Sequence, residues 1–219
     1  MQNLNEEENK LELNSSGIII TNHMENIITV EEDEMGFEDN NIKLQVHSLK
    51  FNYNDQYLAA GYNDGRVRIF NVKTRKLTCE KDCNLNKNFA SLVQCIKWRP
   101  PIDGRTNNIL MAICHNRVLE IHTPSQKIVN QTTMMDIIFS CEYSHDGLMY
   151  ALGLNDLSVR VYDSLTKKEI IKLGGFDNQK VAGHQNKIFG LKFVRDQKAL
   201  ISGSWDKILI IWDLTSKSL

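Results

Sequence analysis

The sequence of 219 residues is poor in proline, in long apolar runs and in regularly spaced cysteines. Three prolines and twelve glycines exclude a collagen-like or proline-rich chain. The longest apolar stretches, such as Ile18–Ile20, are far too short to cross a bilayer. The polar, acidic N-terminus lacks the basic and apolar regions of a secretory signal. We therefore expect a cytoplasmic protein without a membrane segment.

The five cysteines are odd in number and form no C-x-x-C motif. This pattern argues against a disulfide framework and against a zinc site, so we expect free thiols and no bound metal. The sequence has no glycine-rich phosphate-binding loop. Paired carboxylates such as Glu31 and Glu34 lie in an acidic segment where nothing would desolvate them. We therefore expect no cofactor.

Charge divides the chain into two parts. Residues 1–42 hold eleven acidic residues and one base, Lys10, whereas residues 43–219 hold 16 acidic and 25 basic residues. We expect residues 1–42 to be a largely disordered acidic segment, because such a composition buries little apolar surface. The basic part favours acidic protein surfaces as partners. Its bases are dispersed along the sequence, which disfavours nucleic acid as a partner.

Four copies of one unit make up the second part, at about 43–82, 90–132, 136–173 and 183–219. Apolar and polar residues alternate in each unit, as in Leu191-Lys192-Phe193, which is the period-2 pattern of half-buried strands. A gapless alignment places Leu58, Ile109, Tyr150 and Leu200 at one position. We predict four-stranded antiparallel sheets, the last of them without its outer strand. The predicted first strands are Val46–Phe51, Val93–Trp98, Ile138–Tyr143 and Ile188–Phe193.

The fourth unit contains Gly183-His184, then Ile201-Ser202-Gly203-Ser204-Trp205-Asp206, then Trp212-Asp213. These residues resemble one full repeat of the WD-repeat (tryptophan-aspartate repeat) β-propeller family. The resemblance covers about residues 43–219, is good in the third and first units and is degraded in the second. It implies an all-β fold in which four blades form a partial or unusually small propeller.

Three residues of the fourth unit, His184, Ser202 and Asp206, are the residue types of a hydrolytic triad. In WD-repeat blades these positions and Trp212 resemble a buried hydrogen-bonded tetrad that ties strands together. The serine does not lie in the Gly-x-Ser-x-Gly turn of a hydrolase. We therefore interpret the four residues as a structural tetrad and predict no catalytic site.

The other units keep only part of this tetrad. Asp64 and Asp156 hold the turn position of the aspartate, and the alignment places His115 there in the second unit. Apolar or aromatic residues replace other members, so we expect those blades to depend more on apolar packing.

The resemblance also marks two positions of each blade at the rim of the top face, where propellers bind partners through loops on a rigid scaffold. One is the second residue of the inner strand, and the other precedes the turn aspartate. Asn63 and Cys114 occupy the latter position in the first two units. The predicted partner-binding residues are Phe189, Trp205, Phe139, His47, Gln94 and Asn155. The alternative is that their aromatic rings complete the packing between neighbouring blades.

Four blades leave two unpaired ends, whereas propellers close with four to eight blades and repeat arrays need capped ends. We favour the explanation that the chain is a fragment of a longer protein. The alternatives are additional blades from a second chain, or a compact ring of four or five blades. In that ring, Ile18–Ile20 or Ile27–Val30 would supply a closing strand.

The expected function is a non-catalytic protein–protein interaction scaffold of a multiprotein assembly. A substrate adaptor of a ubiquitin ligase is one alternative, weakened because Trp212-Asp213-Leu214-Thr215 lacks the arginine that such adaptors often carry at a blade end. A ciliary or cytoskeletal scaffold is another, and a hydrolase is the disfavoured alternative of a different class. The sequence leaves the partner, the oligomeric state and a nuclear location open.

Overall fold

The computed structural model describes residues 19–22, 26–29, 44–84, 91–176 and 183–215. Its elements are all β-strands, and no helix in these ranges is long and apolar enough to span a membrane. The expected disorder of residues 1–42 lies outside the described residues except for one hairpin. Its strands β1 (Ile19–Asn22) and β2 (Asn26–Thr29) pair antiparallel with each other. The two apolar segments considered as closing strands therefore form a separate sheet within the described ranges.

Four further antiparallel sheets are each built from strands that are consecutive in the chain. The first contains β3 (Val46–Phe51), β4 (Tyr57–Tyr62), β5 (Arg66–Asn71) and β6 (Lys76–Asp82). The second contains β7 (Val93–Trp98), β8 (Ile109–Cys114), β9 (Arg117–His122) and β10 (Lys127–Thr133). The third contains β11 (Ile138–Tyr143), β12 (Met149–Leu154), β13 (Ser158–Asp163) and β14 (Glu169–Gly174). The fourth contains β15 (Ile188–Phe193), β16 (Ala199–Ser204) and β17 (Leu209–Asp213).

The predicted all-β fold of four blades is confirmed, and the four predicted first strands have the observed bounds. The first three blades have four strands each, and the fourth has three among the described residues. The first strands are the inner strands, because β3, β7, β11 and β15 contact one another in series. Neighbouring sheets therefore pack face to face around one side, as blades of a propeller do.

Three of the four hydrophobic clusters among the described residues lie between neighbouring blades, and the fourth lies within the first blade. Val67 and Ile69 of β5 pack with Ile96 and Trp98 of the next blade's inner strand. Similar cores join the second blade to the third and the third to the fourth. Polar bonds also tie the first junction, since Trp98 Nε1 donates to the carbonyl oxygen of Lys50 at 2.9 Å. At each of these three junctions, neighbouring blades bury apolar side chains against each other.

The second blade departs from the gapless alignment. Leu110, not Ile109, pairs with Trp98 in β7 and with Ile121 in β9. It thereby takes the place that Leu58 holds in the first blade, where Leu58 pairs with Phe51 and Phe70. The gapless alignment is wrong in this unit because the β8–β9 turn, residues 115–116, is one residue shorter than the β4–β5 turn, residues 63–65.

Candidate functional site

The fourth blade brings the four tetrad residues into one chain of hydrogen bonds. Trp212 Nε1 donates to Ser202 Oγ at 2.8 Å, and Ser202 Oγ lies 2.7 Å from His184 Nε2. His184 Nδ1 lies 2.8 Å from Asp206 Oδ2. A neutral imidazole that donates from Nδ1 to the carboxylate accepts at Nε2 from the serine hydroxyl. Every donor in the chain then has an acceptor, as buried polar groups require.

The aspartate also holds the turn between β16 and β17. Asp206 Oδ1 accepts from the backbone N–H of Ile208 at 2.9 Å, and Oδ2 accepts from that of Gln185 at 2.8 Å. Burial alone would raise the pKa of Asp206, but the N–H of Gln185 and the ring of His184 hold this pKa below its ordinary value. The carboxylate therefore stays ionised and joins the turn to the segment that precedes β15.

This geometry indicates that the four residues have a structural role and not a catalytic one. Ser202 is fully buried, and its oxygen is already occupied by Trp212 and His184. A nucleophile needs an approach path for the substrate and a free oxygen lone pair. Within the described residues, no group of three or more His, Cys, Asp and Glu side chains could hold a metal ion.

In the first blade, an ion network occupies the place of the tetrad. Asp64 Oδ1 accepts from the N–H of Arg66 at 2.9 Å, which is the same turn bond that Asp206 makes. The inner partner differs, because Arg68 Nη2 lies 3.1 Å from Asp64 Oδ2 and Arg68 Nε lies 2.8 Å from Glu80 Oε2. Arg68 is almost fully buried, and its guanidinium stands 4.4 Å from the centre of the Tyr62 ring.

The third blade has the same kind of ion network. Asp156 Oδ1 accepts from the N–H of Ser158 at 3.0 Å, and Arg160 Nη2 donates to Asp156 Oδ2 at 2.7 Å. Burial alone would raise the pKa of Asp156, but the bonds from Ser158 and Arg160 lower it. In the first and third blades, an ion network thus accompanies the apolar packing of Phe70 and Tyr162. Both units share the spacing Asp-x-x-x-Arg, and this spacing could have indicated the ion network from the sequence alone.

The second blade has neither network. His115 lies in the shortened turn with a positive φ of 56°, and Ile121 belongs to the apolar core. Cys114 pairs with Val93 as a strand residue, so it does not occupy the rim position that the alignment assigned to it. This blade has apolar packing without either network.

The rim residues on the inner strands share one backbone feature. In each blade the register between the first two strands shifts at the second residue of the inner strand, so this residue has no regular pairing partner. Such bulges turn a side chain away from the regular sheet direction and are frequent beside binding sites. The four residues at these shifts are His47, Gln94, Phe139 and Phe189.

Three of the predicted rim residues form one aromatic cluster. The rings of Phe189 and Trp205 stack with centroids 4.5 Å apart, and the rings of Phe139 and Phe189 lie 5.2 Å apart. Trp205 is 62% exposed, and Phe189 is also exposed. Lys187 Nζ lies 4.9 Å from the Phe139 centroid and 5.6 Å from that of Trp205. We call Phe139, Phe189, Trp205 and Lys187 the aromatic cluster.

The remaining rim residues lie outside the aromatic cluster. Asn155 is half-buried in the β12–β13 turn, where its N–H donates to the carbonyl oxygen of Ile137 at 2.8 Å. The N–H of Trp205 donates to the carbonyl oxygen of Lys187 at 3.1 Å in the same way. His47 is exposed on the first blade, and Gln94 is half-buried on the second. The structure therefore gathers the aromatic residues and leaves the polar ones spread along the rim.

A charged row crosses the inner strands and was not predicted. Lys50, Lys97, Glu142 and Lys192 each occupy the fifth position of their strand. Glu142 is buried and pairs with Lys97 on one side and with Lys192 on the other, the latter at 2.6 Å. Burial alone would lower the pKa of Lys97, but its bond to Glu142 raises it.

The fold and these sites define a repeat protein of the β-propeller class. A family profile described as "WD domain, G-beta repeat" matches residues 176–213, and one described as "Anaphase-promoting complex subunit 4 WD40 domain" matches residues 19–101. The chain belongs to the WD-repeat family, as its fourth unit predicted.

Several known proteins are similar to this chain. "Cell division control protein 4" of Saccharomyces cerevisiae is 26% identical over 178 residues, which are 76% of this chain and 22% of that protein. "Poly(A)+ RNA export protein" of Schizosaccharomyces pombe is 35% identical over 80 residues, which are 35% of this chain and 20% of that protein. The chain spans about a fifth of the length of these curated relatives.

A solved structure has the same fold. A chain in the "Crystal Structure of Mitotic Checkpoint Complex" superposes with a TM-score of 0.67 at 16% identity, covering 88% of this chain and 53% of that chain. At this identity the likeness concerns the fold alone.

Proposed function

We propose that this protein is a non-catalytic interaction scaffold that binds a protein partner through the aromatic cluster. The stacked, exposed pair of Phe189 and Trp205 is the observation that carries the proposal. Tryptophan is enriched among the residues that dominate binding energy at protein interfaces. Two rings that already stack lose little conformational freedom when a partner covers them.

The chemistry of the cluster indicates the kind of partner segment. Phe189 and Trp205 offer an apolar surface, and Lys187 adds a positive charge between Phe139 and Trp205. An apolar side chain next to an aspartate or glutamate would satisfy both features. This agrees with the excess of bases over acids in residues 43–219.

The names of similar proteins support a role in a multiprotein assembly. One is a cell division control protein, and one matched family profile describes a subunit of the anaphase-promoting complex. We propose that this chain acts in an assembly in the cytoplasm, where its five free thiols would persist. The adaptor and cytoskeletal roles stay predictions.

Affinity purification of the tagged chain tests the aromatic cluster. We expect the double substitution Phe189→Ala/Trp205→Ala to remove partners that the unaltered chain recovers. A purified partner should bind the double variant more than about thirtyfold more weakly, the loss that a 2 kcal/mol hot spot produces. Leu165→Ala is a matched control, because Leu165 is 63% exposed in the β13–β14 turn at the opposite end of the sheet.

Equal recovery of the same partners by the double variant would reject the aromatic cluster as the binding site. Loss of partners by the Leu165→Ala control as well would indicate a general effect on the fold. A Lys187→Glu variant tests the charge, and it should weaken binding most for a partner with an acidic segment.

A further inference from the structure

At the three junctions between blades, the third residue of the inner strand reaches the next blade. Ser48 Oγ accepts from a backbone N–H of β7 at 3.2 Å, and Ser140 Oγ donates to a backbone carbonyl oxygen of β15 at 2.7 Å. At the second junction this position is held by Cys95. Its thiol meets a second thiol, because Cys95 Sγ lies 2.8 Å from Cys141 Sγ of β11. A pair of cysteines thus replaces a serine–backbone bond where the second blade meets the third.

The two thiols lie on packed strands rather than on loops. Cys141 belongs to the hydrophobic core that joins the second blade to the third, and Cys95 packs against that core. A disulfide bond has an S–S length of about 2.0 Å, so the two sulfur atoms need to approach by only about 0.8 Å. A small change of side-chain position therefore brings the two thiols to bonding distance.

Cys95 and Cys141 differ in their access to solvent. Of the five cysteines, all of which lie in the described ranges, only Cys95 is not buried. Cys141 is 3% exposed, and burial raises its pKa well above the ordinary value, with the contact to Cys95 adding to the rise. The thiolate is the nucleophile in thiol chemistry, and its reactivity needs access to the reagent. Cys95 is therefore the thiol that a dissolved reagent reaches first, and Cys141 is its buried neighbour.

We propose that Cys95 and Cys141 form a reversible disulfide bond that joins the second blade to the third. The oxidant is a low-molecular-weight disulfide. The Cys95 thiolate attacks one sulfur of the oxidant, forms a mixed disulfide and releases one thiol. Cys141 then loses its proton, attacks Cys95 Sγ and releases the second thiol. The protein is oxidised by two electrons and the oxidant is reduced to two thiols, while exchange with excess thiol reverses the reaction.

The bond adds a covalent link to a junction that is otherwise held by noncovalent contacts. It closes a loop that runs from β7 through the rest of the second blade to β11. Closing such a loop stabilises a folded chain mainly by constraining the unfolded chain. We expect the oxidised chain to melt at least about 4 °C higher than the reduced chain. Cytosolic disulfides are usually transient and redox-sensing, which fits a bond that a change of thiol balance makes and breaks.

Thiol counting in the folded full chain measures the reaction. The chain is incubated with oxidised glutathione, and the remaining thiols are alkylated in denaturant and counted by mass spectrometry. We expect two of the five thiols to disappear and to return after treatment with dithiothreitol. Digestion without reductant should give one linked pair of peptides, which contain Cys95 and Cys141. Cys79→Ser is the matched control, because it removes a buried thiol of the first blade and should leave the reaction unchanged.

Two variants separate the steps of the reaction. Cys95→Ser introduces the residue type that the first and third blades hold at this position, so it should fold and keep all of its remaining thiols. Cys141→Ala should stop at the mixed disulfide and carry one glutathione on Cys95. Thermal melting of the reduced variants, followed by circular dichroism, checks that both are folded before oxidation.

Four outcomes would overturn the inference. They are a folded chain that keeps all five thiols after prolonged oxidation, a linked pair that contains another cysteine, loss of two thiols by Cys95→Ser, and a Cys95–Cys141 bond that leaves the melting temperature unchanged. The inference rests on residues outside the aromatic cluster, so each of these outcomes leaves the proposed function to its own test.

Discussion

The fourth blade and the first blade link their turn aspartates to the interior of the blade through different side chains. In both, a turn aspartate accepts the N–H two residues ahead, at 2.9 Å from Asp206 to Ile208 and at 2.9 Å from Asp64 to Arg66. The fourth blade links its aspartate to the interior through a histidine, a serine and a tryptophan. The first blade instead places the buried Arg68 between two carboxylates. The turn bond fixes the position of the aspartate in both blades, while the side chain that the aspartate contacts in the interior differs.

This difference has an energetic consequence. In the fourth blade, Asp206 accepts from the backbone N–H groups of Gln185 and Ile208 and contacts the ring of His184. The network of the first blade buries a full guanidinium charge, and removing its two carboxylate partners would leave that charge buried without them. We therefore expect the first blade to respond more strongly when its acidic partners are removed.

The largest effect is expected for Asp64→Ala/Glu80→Ala. Arg68 would then stay buried without its two carboxylates, and the free energy of unfolding should fall by about 3–5 kcal/mol. Urea titration followed by circular dichroism measures the change. Adding Arg68→Met to the double variant should restore much of the loss. A triple variant that is no more stable than the double variant would contradict the role of the buried charge.

A smaller loss, about 1–3 kcal/mol, is expected for Asp206→Ala, because His184 and two backbone N–H groups lose their acceptor. The same titration measures it, and Asp196→Ala, in an exposed turn of the same blade, is the control. Ser202 should not react with a covalent serine-hydrolase probe in the folded protein. Labelling of Ser202, or lost enzymatic activity at an unchanged melting temperature, would favour the hydrolase alternative.

Acid should weaken the third and fourth blades through their turn aspartates. The pKa values of Asp156 and Asp206 are both lowered in the folded chain. The stability that they contribute is therefore fully present above the unfolded-state pKa of about 3.9 and is lost as the pH falls through the lower folded-state pKa. Urea titrations between neutral and strongly acidic pH should show a shallower loss for Asp206→Asn than for the unaltered chain. Parallel curves would argue against this linkage.

The smallest effect is expected at the turn residue that follows the aspartate. Gly65 has a φ of 79°, whereas Leu157 adopts a φ of 61° in the equivalent turn. A left-handed conformation is unfavourable for leucine, so Leu157→Gly should stabilise the chain by about 0.5–1 kcal/mol after the entropic cost of glycine. Thermal unfolding measures the shift, and Gly65→Ala should move stability in the opposite direction. A destabilising Leu157→Gly would show that the leucine contacts outweigh the strain.

Much of the candidate site could be predicted from the sequence because it depends on the spacing of residues within one unit. The tetrad residues fall within one unit, and the period-2 pattern fixes which strand faces they share. The ion networks were missed because Arg68 needs both Asp64 in its own turn and Glu80 on the next strand. The second blade was misaligned by one residue because a shortened turn preserves the strand pattern on both sides of it.

The sequence by itself determined the number of units, the bounds of their inner strands and the family, since turn residues and alternating apolar residues act over short distances. Only the tertiary structure decided which side chains meet across blades. The stacking of Phe189 with Trp205 depends on a bulge in β15 and on a turn that follows another strand. The bond from Trp98 Nε1 to the carbonyl oxygen of Lys50 likewise depends on how two blades pack together. Those contacts join residues far apart in the chain, and no local pattern encodes their distances.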